Sequence, residues 1–288
     1  MKSPAELFDL RGRTAVVTGA SSGLGVTFAQ GLAAAGANVV LAARRRARLD
    51  EVAAGIEGDG GSALAVECDV TDEASTAALM DAAVERFGRL DVVVANAGVV
   101  AEAGTVPEKM TPQMFDQTLR VNVLGVFNTC QAAARHMLPA GSGVIVPIAS
   151  VAGLGASFES PGAYSASKAA VISLTQHLAL RWGDRGIRVN ALAPGWFPSE
   201  MTQAVIDIPP FNQRLRDQTA IDRLGEPEEL VGPLLLLCSD AGSYMTGSVL
   251  VVDGGASCSV GEAPYPAAMY DSTAERMGDL ATRIMPEA

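Results

Sequence analysis

Only two histidines and four cysteines occur among 288 residues, and the cysteines, at positions 68, 130, 238 and 258, form no CxxC pair. The sequence therefore offers no ligand cluster for a metal and no disulfide framework, and its cysteines read as reduced thiols in a cytoplasmic protein. Long apolar runs are also missing. The greasiest, Leu234 to Cys238, is far short of a membrane span. The first six residues, Met1 to Glu6, contain no apolar stretch of the length a signal peptide needs. Positive charge is scarce as well: 21 basic residues face 32 acidic ones, a net charge of −11. Such a surface repels phosphate backbones and anionic lipid heads, which argues against nucleic-acid and membrane partners.

What is present is apolar and alternating. Hydrophobic residues make up 49% of the chain and charged residues 18%, enough for a large core. Short β-branched runs over Thr14–Thr18, Asn38–Ala43, Ala63–Cys68, Asp91–Ala95, Val144–Ile148, Ile187–Leu192 and Val249–Val252 read as strands. Helical stretches separate them, among them Gly25–Ala35, Asp72–Phe87, Thr111–Met137 and Gly162–Trp182. Strands joined by helical crossovers make a parallel sheet covered on both faces, and the handedness of such crossovers favours a doubly wound arrangement. The expectation is an α/β fold with a seven-stranded parallel sheet. No linker tract, low-complexity segment or internal repeat divides the chain, so one domain over residues 7–256 is expected, with 257–288 as an extension. Pro264 and Pro266 interrupt that extension. An apolar stripe through Met269, Tyr270, Met277, Leu280 and Ile284 then predicts a helix from Asp271 to about Ile284.

Two local patterns carry chemistry. The first strand runs into Thr18-Gly19-Ala20-Ser21-Ser22-Gly23-Leu24-Gly25 and then a helix. Glycines there permit a tight turn and bring a pyrophosphate close to backbone N–H groups at the helix N-terminus. The second pattern is Tyr164-Ser165-Ala166-Ser167-Lys168. Residues four apart share a helix face, so a phenol and an ammonium flank one reacting group. A nearby ammonium favours phenolate, and the expectation is a tyrosine pKa below its usual ~10. Ser150 follows the strand Val144–Ile148, at the strand end where parallel sheets hold ligands. His136 and His177 fall on predicted helices and read as packing or surface residues.

Taken in order, the glycine loop, Asp69, Asn96-Ala97-Gly98, Asn122, Ser150, Tyr164/Lys168, Pro194-Gly195, Arg223 to Leu230 and Asp253-Gly254-Gly255 resemble the short-chain dehydrogenase/reductase family across nearly the whole chain. The resemblance implies a Rossmann-type oxidoreductase. In it, Tyr164 is the general acid/base, Ser150 polarises the substrate oxygen, and Lys168 holds the nicotinamide ribose and tunes Tyr164. Asn122 positions a water in the proton relay. Gly19, Ser21, Ser22, Gly23, Leu24 and Gly25 would cradle the pyrophosphate. Asp69 and Val70 would contact adenine, and Asn96 with Ala97 and Gly98 would lie beside the adenosine ribose. Pro194, Gly195, Phe197 and Ser199 would surround the nicotinamide. The resemblance also implies a homo-oligomer, a dimer or tetramer, packed through the Thr111–Met137 and Gly162–Trp182 helices. Three features depart from the family pattern, one of them a tail after Gly255 longer than the fold requires. Ser150 and Tyr164 are 14 positions apart, about one more than expected, and Pro147 sits inside a central strand.

Cofactor choice is read at the end of the second strand. Users of NAD carry an acidic residue there to bind the ribose 2′-hydroxyl. Here Ala43 occupies that slot and Arg44, Arg45 and Arg46 follow it. A guanidinium makes charge-assisted bonds to a 2′-phosphate, so NADP(H) is the expected cofactor, with Arg44 the chief contact, Arg45 assisting and NAD(H) a secondary option. The expected substrate is a small-molecule secondary alcohol or ketone. A lid from Trp196 to Ile221 would close over it, with Trp196, Phe197, Met201, Ile206, Ile208, Pro209, Pro210 and Phe211 as an apolar set suited to a greasy or extended ketone. A 3-oxoacyl thioester, a sugar-acid ketone and a bulky cyclic ketone all remain open. Two other readings share the scaffold: a catalytically silent NAD(P)-binding regulator, and a dehydratase or epimerase.

Overall fold

Strand β1 (Thr14–Thr18) is buried along its whole length, and its β-branched residues suit a strand covered on both faces. A computed structural model describes residues 2–155 and 162–258. In it β1 pairs in parallel with β2 (Asn38–Ala43) on one side and β4 (Val92–Ala95) on the other. Strand β3 (Ser62–Glu67) extends the sheet beyond β2, while β5 (Gly143–Pro147) and β6 (Ile187–Val189) extend it beyond β4, giving the order β3-β2-β1-β4-β5-β6. The order reverses between β1 and β4, the position at which doubly wound sheets open a ligand crevice.

The seven expected strands are all present, with the sixth divided into β6 and β7 (Ala191–Pro194), and β7 pairs in parallel with β8 (Val249–Val252). The strand expected over Ile187–Leu192 is interrupted at Asn190. The Asn190 backbone N–H still donates to the Ile145 carbonyl, but from Ala191 onward the strand pairs with β8, and the buried Asn190 side chain bonds the Met245 carbonyl and the Ser248 N–H. A bridge from Ile148 to Leu192 keeps β7 joined to the end of β5. The same break resolves the oddity of Pro147. Val144 and Ile148 donate to the β4 side, through the Asp91 and Ala95 carbonyls, whereas Ala149 donates to Leu192. By that alternation the missing Pro147 N–H falls on the β6–β7 side, next to the interruption, where a ladder bond is least needed.

Alternate side chains of the strands feed two cores. On one face Val16, Val40, Val93 and Ile145 meet Leu79 and Met80 of α4 (Glu73–Phe87), Cys130 and Met137 of α6 (Gly125–Ala140), and Val171 of α7 (Gly162–Trp182). On the other, Val17, Leu41, Val94 and Val146 meet Phe28 and Leu32 of α2 (Leu24–Ala34), Leu49 of α3 (Arg46–Gly58) and Leu234 of α10 (Val231–Cys238). Each fully buried side chain of this size contributes about 1.5–3 kcal/mol. Local signals set the helix ends: Asp72 accepts the Ala74 N–H at the start of α4, and Gly88 closes it in the left-handed conformation.

The long helix expected over Thr111–Met137 is present and runs without a break from Pro112 to Ala140, but its winding changes in the middle. It is α5 (Pro112–Leu119), a π-helical turn over Arg120–Leu124, and α6. The cause lies in Asn122, whose Oδ1 accepts the Val99 N–H at 2.8 Å while its Nδ2 donates to the Val99 carbonyl at 2.9 Å. Turning that side chain inward needs the extra residue a π turn supplies, and such turns cluster at functional sites. The helix expected over Asp271–Ile284, and the loop 156–161 that would carry the extra Ser150–Tyr164 residue, lie outside the described residues.

Candidate active site

The carboxyl ends of six strands open onto one cleft of about 740 Å³. Gly19 follows β1, Arg44 and Arg45 follow β2, Asp69 follows β3, Asn96 follows β4, Ser150 follows β5 and Gly195 follows β7, and all seven line it. So do Ser21, Ser22, Gly23, Leu24, Gly25, Val70, Ala97, Gly98, Tyr164, Lys168, Pro194, Phe197 and Ser199. The parallel sheet collects residues that are far apart in the chain along one edge.

The glycine loop is as tight as its composition suggests. Gly19 and Gly23 have φ of +71° and +53°, which disfavours a Cβ, and a Cβ on Gly25 would lie 2.3 Å from the Gly19 carbonyl oxygen. Asn96 Nδ2 donates to the Thr18 carbonyl at 2.9 Å, and Thr18 Oγ1 accepts the N–H groups of Asn96 and Ala97. The loop is thereby bolted to the end of β4. No side chain caps the first turn of α2. Its free N–H groups and the positive end of the helix dipole suit an anion.

Around the other rim, the Ser150 hydroxyl accepts the Ala152 N–H at 3.1 Å and stands close enough to the Tyr164 phenol to lower its pKa. Lys168 is buried, and its Nζ donates to the Ile148 carbonyl at 2.8 Å, 5.4 Å from the centre of the Tyr164 ring. The structure corrects one expectation here. Burial pushes the Tyr164 phenol above its ordinary value, the Ser150 hydroxyl offsets part of this, and the charge of Glu102 adds to it. Burial likewise brings the Lys168 ammonium down to about 8. The ammonium is turned toward a main-chain oxygen instead of the phenol oxygen, so desolvation outweighs the attraction inferred from spacing.

Asn122 does not line the cleft. It stands behind it, with Nδ2 also donating to Ser167 Oγ at 3.0 Å, and Ser167 in turn donating to the Tyr164 carbonyl at 2.6 Å. Val70 and Phe197 line the cleft and also pack inward: Val70 against Gly125, and Phe197 against Gly225. Asp69 binds the N–H and hydroxyl of Thr71, which with the nearby charge of Arg44 keeps its carboxyl low.

The lid departs from expectation. Of the apolar set, Phe197 and Met201 line the cleft, and Ser199, Glu200 and Thr202 join them. Trp196, Ile206, Ile208, Pro209, Pro210 and Phe211 do not; all but Trp196 lie on or between α8 (Gln203–Ile206) and α9 (Pro209–Asp217), past the rim. Two residues that sequence reasoning missed are Glu200 and Glu102. Glu200 Oε2 pairs with Arg45 at 3.0 Å and its Oε1 with Arg48 at 3.1 Å. Glu102 is fully buried and accepts the Tyr164 backbone N–H. Their partners lie 16 to 155 positions away, so no local pattern could have revealed them. His136 pairs with Asp81 and His177 is exposed, both outside the cleft. Among the described residues no cluster could hold a metal ion, and no helix is long and apolar enough to cross a membrane.

Comparison with known proteins points in one direction. The sequence profile of the family described as enoyl-(acyl carrier protein) reductase matches residues 19–257. Gluconate 5-dehydrogenase of Gluconobacter oxydans is 42% identical over 263 residues, covering 90% of this chain and 100% of the relative. D-threitol dehydrogenase of Mycolicibacterium smegmatis is 38% identical over 248 residues, covering 86% and 94%. The crystal structure of a gluconate 5-dehydrogenase from Burkholderia cenocepacia in complex with NADP and tartrate superposes with a TM-score of 0.85 at 36% identity, over 90% of this chain and 100% of that one.

Proposed function

The chain belongs to the short-chain dehydrogenase/reductase family, and from that premise we propose that it moves a hydride between NADP(H) and a secondary alcohol or its ketone. The observation that carries this reading is the meeting of Ser150, Tyr164 and Lys168 in the same cleft as the glycine loop. The residues fit a dinucleotide. The uncapped first turn of α2 suits a pyrophosphate, and Arg44, which makes no ion pair or hydrogen bond among the described residues, lines the cleft where a 2′-phosphate would need a cation. The solved relative with NADP bound supports that choice.

When bound, the nicotinamide supplies the two-electron donor or acceptor. The chain does the rest. Ser150, on the same rim of the cleft as the phenol, offers its hydroxyl to the substrate oxygen. Tyr164 gives its phenolic proton to a ketone oxygen during reduction and takes it back from the alcohol during oxidation. Lys168 lies one turn further along α7, where it can bond the nicotinamide ribose once it leaves the Ile148 carbonyl. Asn122 keeps one lone pair of Oδ1 for a relay water and holds Val99 at the cleft edge. Orientation within this frame supplies most of the remaining acceleration.

The substrate class we favour is a small polyhydroxy alcohol or sugar acid, a reading supported by the names of the two curated relatives. The test is a panel of gluconate, threitol, cyclic alcohols and 3-oxoacyl thioesters, followed by nicotinamide absorbance with each cofactor. Turnover with a polyol or sugar acid and NADP is expected. No NADP-linked turnover with any alcohol or ketone would overturn the reading. We further propose a homo-oligomer, supported by Phe115 on α5, Leu124 in the π turn and Phe127 on α6, which remain exposed.

A further inference from the structure

Glu102 is a carboxylate with no exposure to solvent, in a chain whose other acidic residues are at least partly exposed wherever they are described. It lies in the loop after β4, four residues past Gly98. Oε1 accepts the backbone N–H of Tyr164 at 2.7 Å, and Oε2 accepts the Thr118 hydroxyl at 2.6 Å. Thr118 also accepts the Ala101 N–H at 3.1 Å, so the carboxylate, the α5 hydroxyl and the loop backbone form one closed set. Both oxygens are used, and the group sits at the first turn of α7, where the helix dipole favours a negative charge.

A buried carboxylate is costly to keep, and a neutral cap would satisfy the same N–H. We propose that Glu102 is a positioning residue for proton transfer: it clamps the turn of α7 that carries Tyr164 and holds a fixed negative charge beside it. This rests on the reading of Tyr164 as the proton carrier. The clamp ties the Val99–Glu102 loop, which forms one edge of the cleft, to the helix that presents the phenol. The charge opposes phenolate formation and so keeps Tyr164 protonated to higher pH, ready to donate to a ketone.

The groups facing Tyr164 are few. Ser150 comes from the end of β5 and Lys168 from α7 itself; Glu102 comes from the loop after β4. The other charged residues of the cleft, Arg44, Arg45, Asp69, Asp116, Arg120 and Glu200, come from the ends of β2 and β3, from α5 with the π turn that follows it, and from the lid. Among the described residues Glu102 is the acidic group whose charge acts on the phenol.

The test replaces the charge while keeping the shape. Phenolate absorbance of the cofactor-free protein is titrated in wild type and Glu102→Gln, with Tyr164→Phe subtracted from each. The pH profile of kcat/KM for alcohol oxidation is recorded in parallel. In Glu102→Gln the Tyr164 midpoint and the alkaline-activated limb should both move down by about one pH unit, with KM little changed. Glu102→Asp, which keeps the charge and shortens the clamp, should hold the wild-type midpoint and lose kcat by about tenfold. Glu102→Ala gives the charge test if the Gln variant does not fold. Wild-type midpoints and profiles in the charge-removing variants would overturn the inference while leaving an inactive Tyr164→Phe, and so the proposed function, in place. An active Tyr164→Phe would instead overturn the proposed role of Tyr164.

Discussion

Glu200 Oε2 lies 3.0 Å from Arg45 Nη2, so a carboxylate of the lid is clasped to the arginine strip at the end of β2. Arg45 also reaches Ser21 and Ser22 of the glycine loop, and the hydrogen bonds to Glu200 from Arg45 and Ser22, with the charges of Arg45 and Arg48, hold its carboxyl down to about 2. A 2′-phosphate arriving at Arg45 must share or displace that carboxylate. The pair is exposed, so the competition is weak. Glu200→Gln should tighten NADP(H) by about two- to fivefold and leave NAD(H) unchanged, as read by fluorescence titration of both cofactors. Equal tightening of both would place Glu200 outside the phosphate site.

Arg44 carries the larger part of the preference. With a charge-assisted phosphate bond at about 1.5–3 kcal/mol, Arg44→Ala should cost NADP(H) roughly tenfold to a hundredfold in affinity. Adding Ala43→Asp should turn the preference toward NAD(H). A double variant that still binds NADPH more tightly would remove Arg44 from the chief role.

Tyr164→Phe keeps the ring, the helix and the cofactor cleft while deleting the phenolic proton. Its kcat should fall by about 10²–10⁴ with cofactor affinity within a fewfold of wild type. Steady-state rates on the true substrate and a binding titration check the two halves separately.

The glycine loop and an exposed helix offer a matched pair. A Cβ on Gly25 meets the Gly19 carbonyl at 2.3 Å and Asn96 Nδ2 at 2.7 Å, whereas one on Gly55 in α3 meets nothing within 4 Å. Gly25→Ala should lower stability by about 1–3 kcal/mol and abolish tight cofactor binding. Gly55→Ala should raise stability by up to about 1 kcal/mol. Urea midpoints of the two variants decide, and a shift of the same sign in both would contradict the packing described here.

Lys168 makes stability depend on pH in a defined direction. Burial holds its ammonium at about 8, against 10.5 for the free side chain. Between those values the unfolded chain binds the extra proton and the folded chain does not, so stability rises with pH across the window. Relative to Lys168→Met, the cofactor-free wild type should gain on the order of 3 kcal/mol from pH 8 to pH 10.5. Paired urea titrations at the two ends of the window measure the difference. A gap between the two proteins that does not change with pH would mean the ammonium is not desolvated.

Assembly is tested most simply by light scattering. The protein should run as a dimer or tetramer at micromolar concentration, and Phe127→Glu should shift it toward the monomer by placing a charge on the exposed α6 face. A monomeric wild type would leave those exposed aromatics without the proposed role.

The sequence by itself determined whatever depends on neighbours a few positions apart. The strands that fill the sheet come from short β-branched runs, and the tight turn between β1 and α2 comes from three closely spaced glycines. Tyr164 and Lys168 share a face of α7 because they are four residues apart. The parallel sheet, and the gathering of strand ends onto one cleft, followed from crossover rules that need only the alternation of elements, whereas the order of the strands is visible in the fold alone. Tertiary structure decided the rest, since burial and long-range hydrogen bonds have no local signature. The strand over 187–192 changed partner at Asn190, from β5 to β8, where the Asn190 side chain reaches Met245 and Ser248. The helix over 111–137 gained a π turn because Asn122 found Val99. The phenol of Tyr164 moved up instead of down, because Lys168 turned to the Ile148 carbonyl and desolvation, which depends on everything packed around a group, outweighed the charge four residues away.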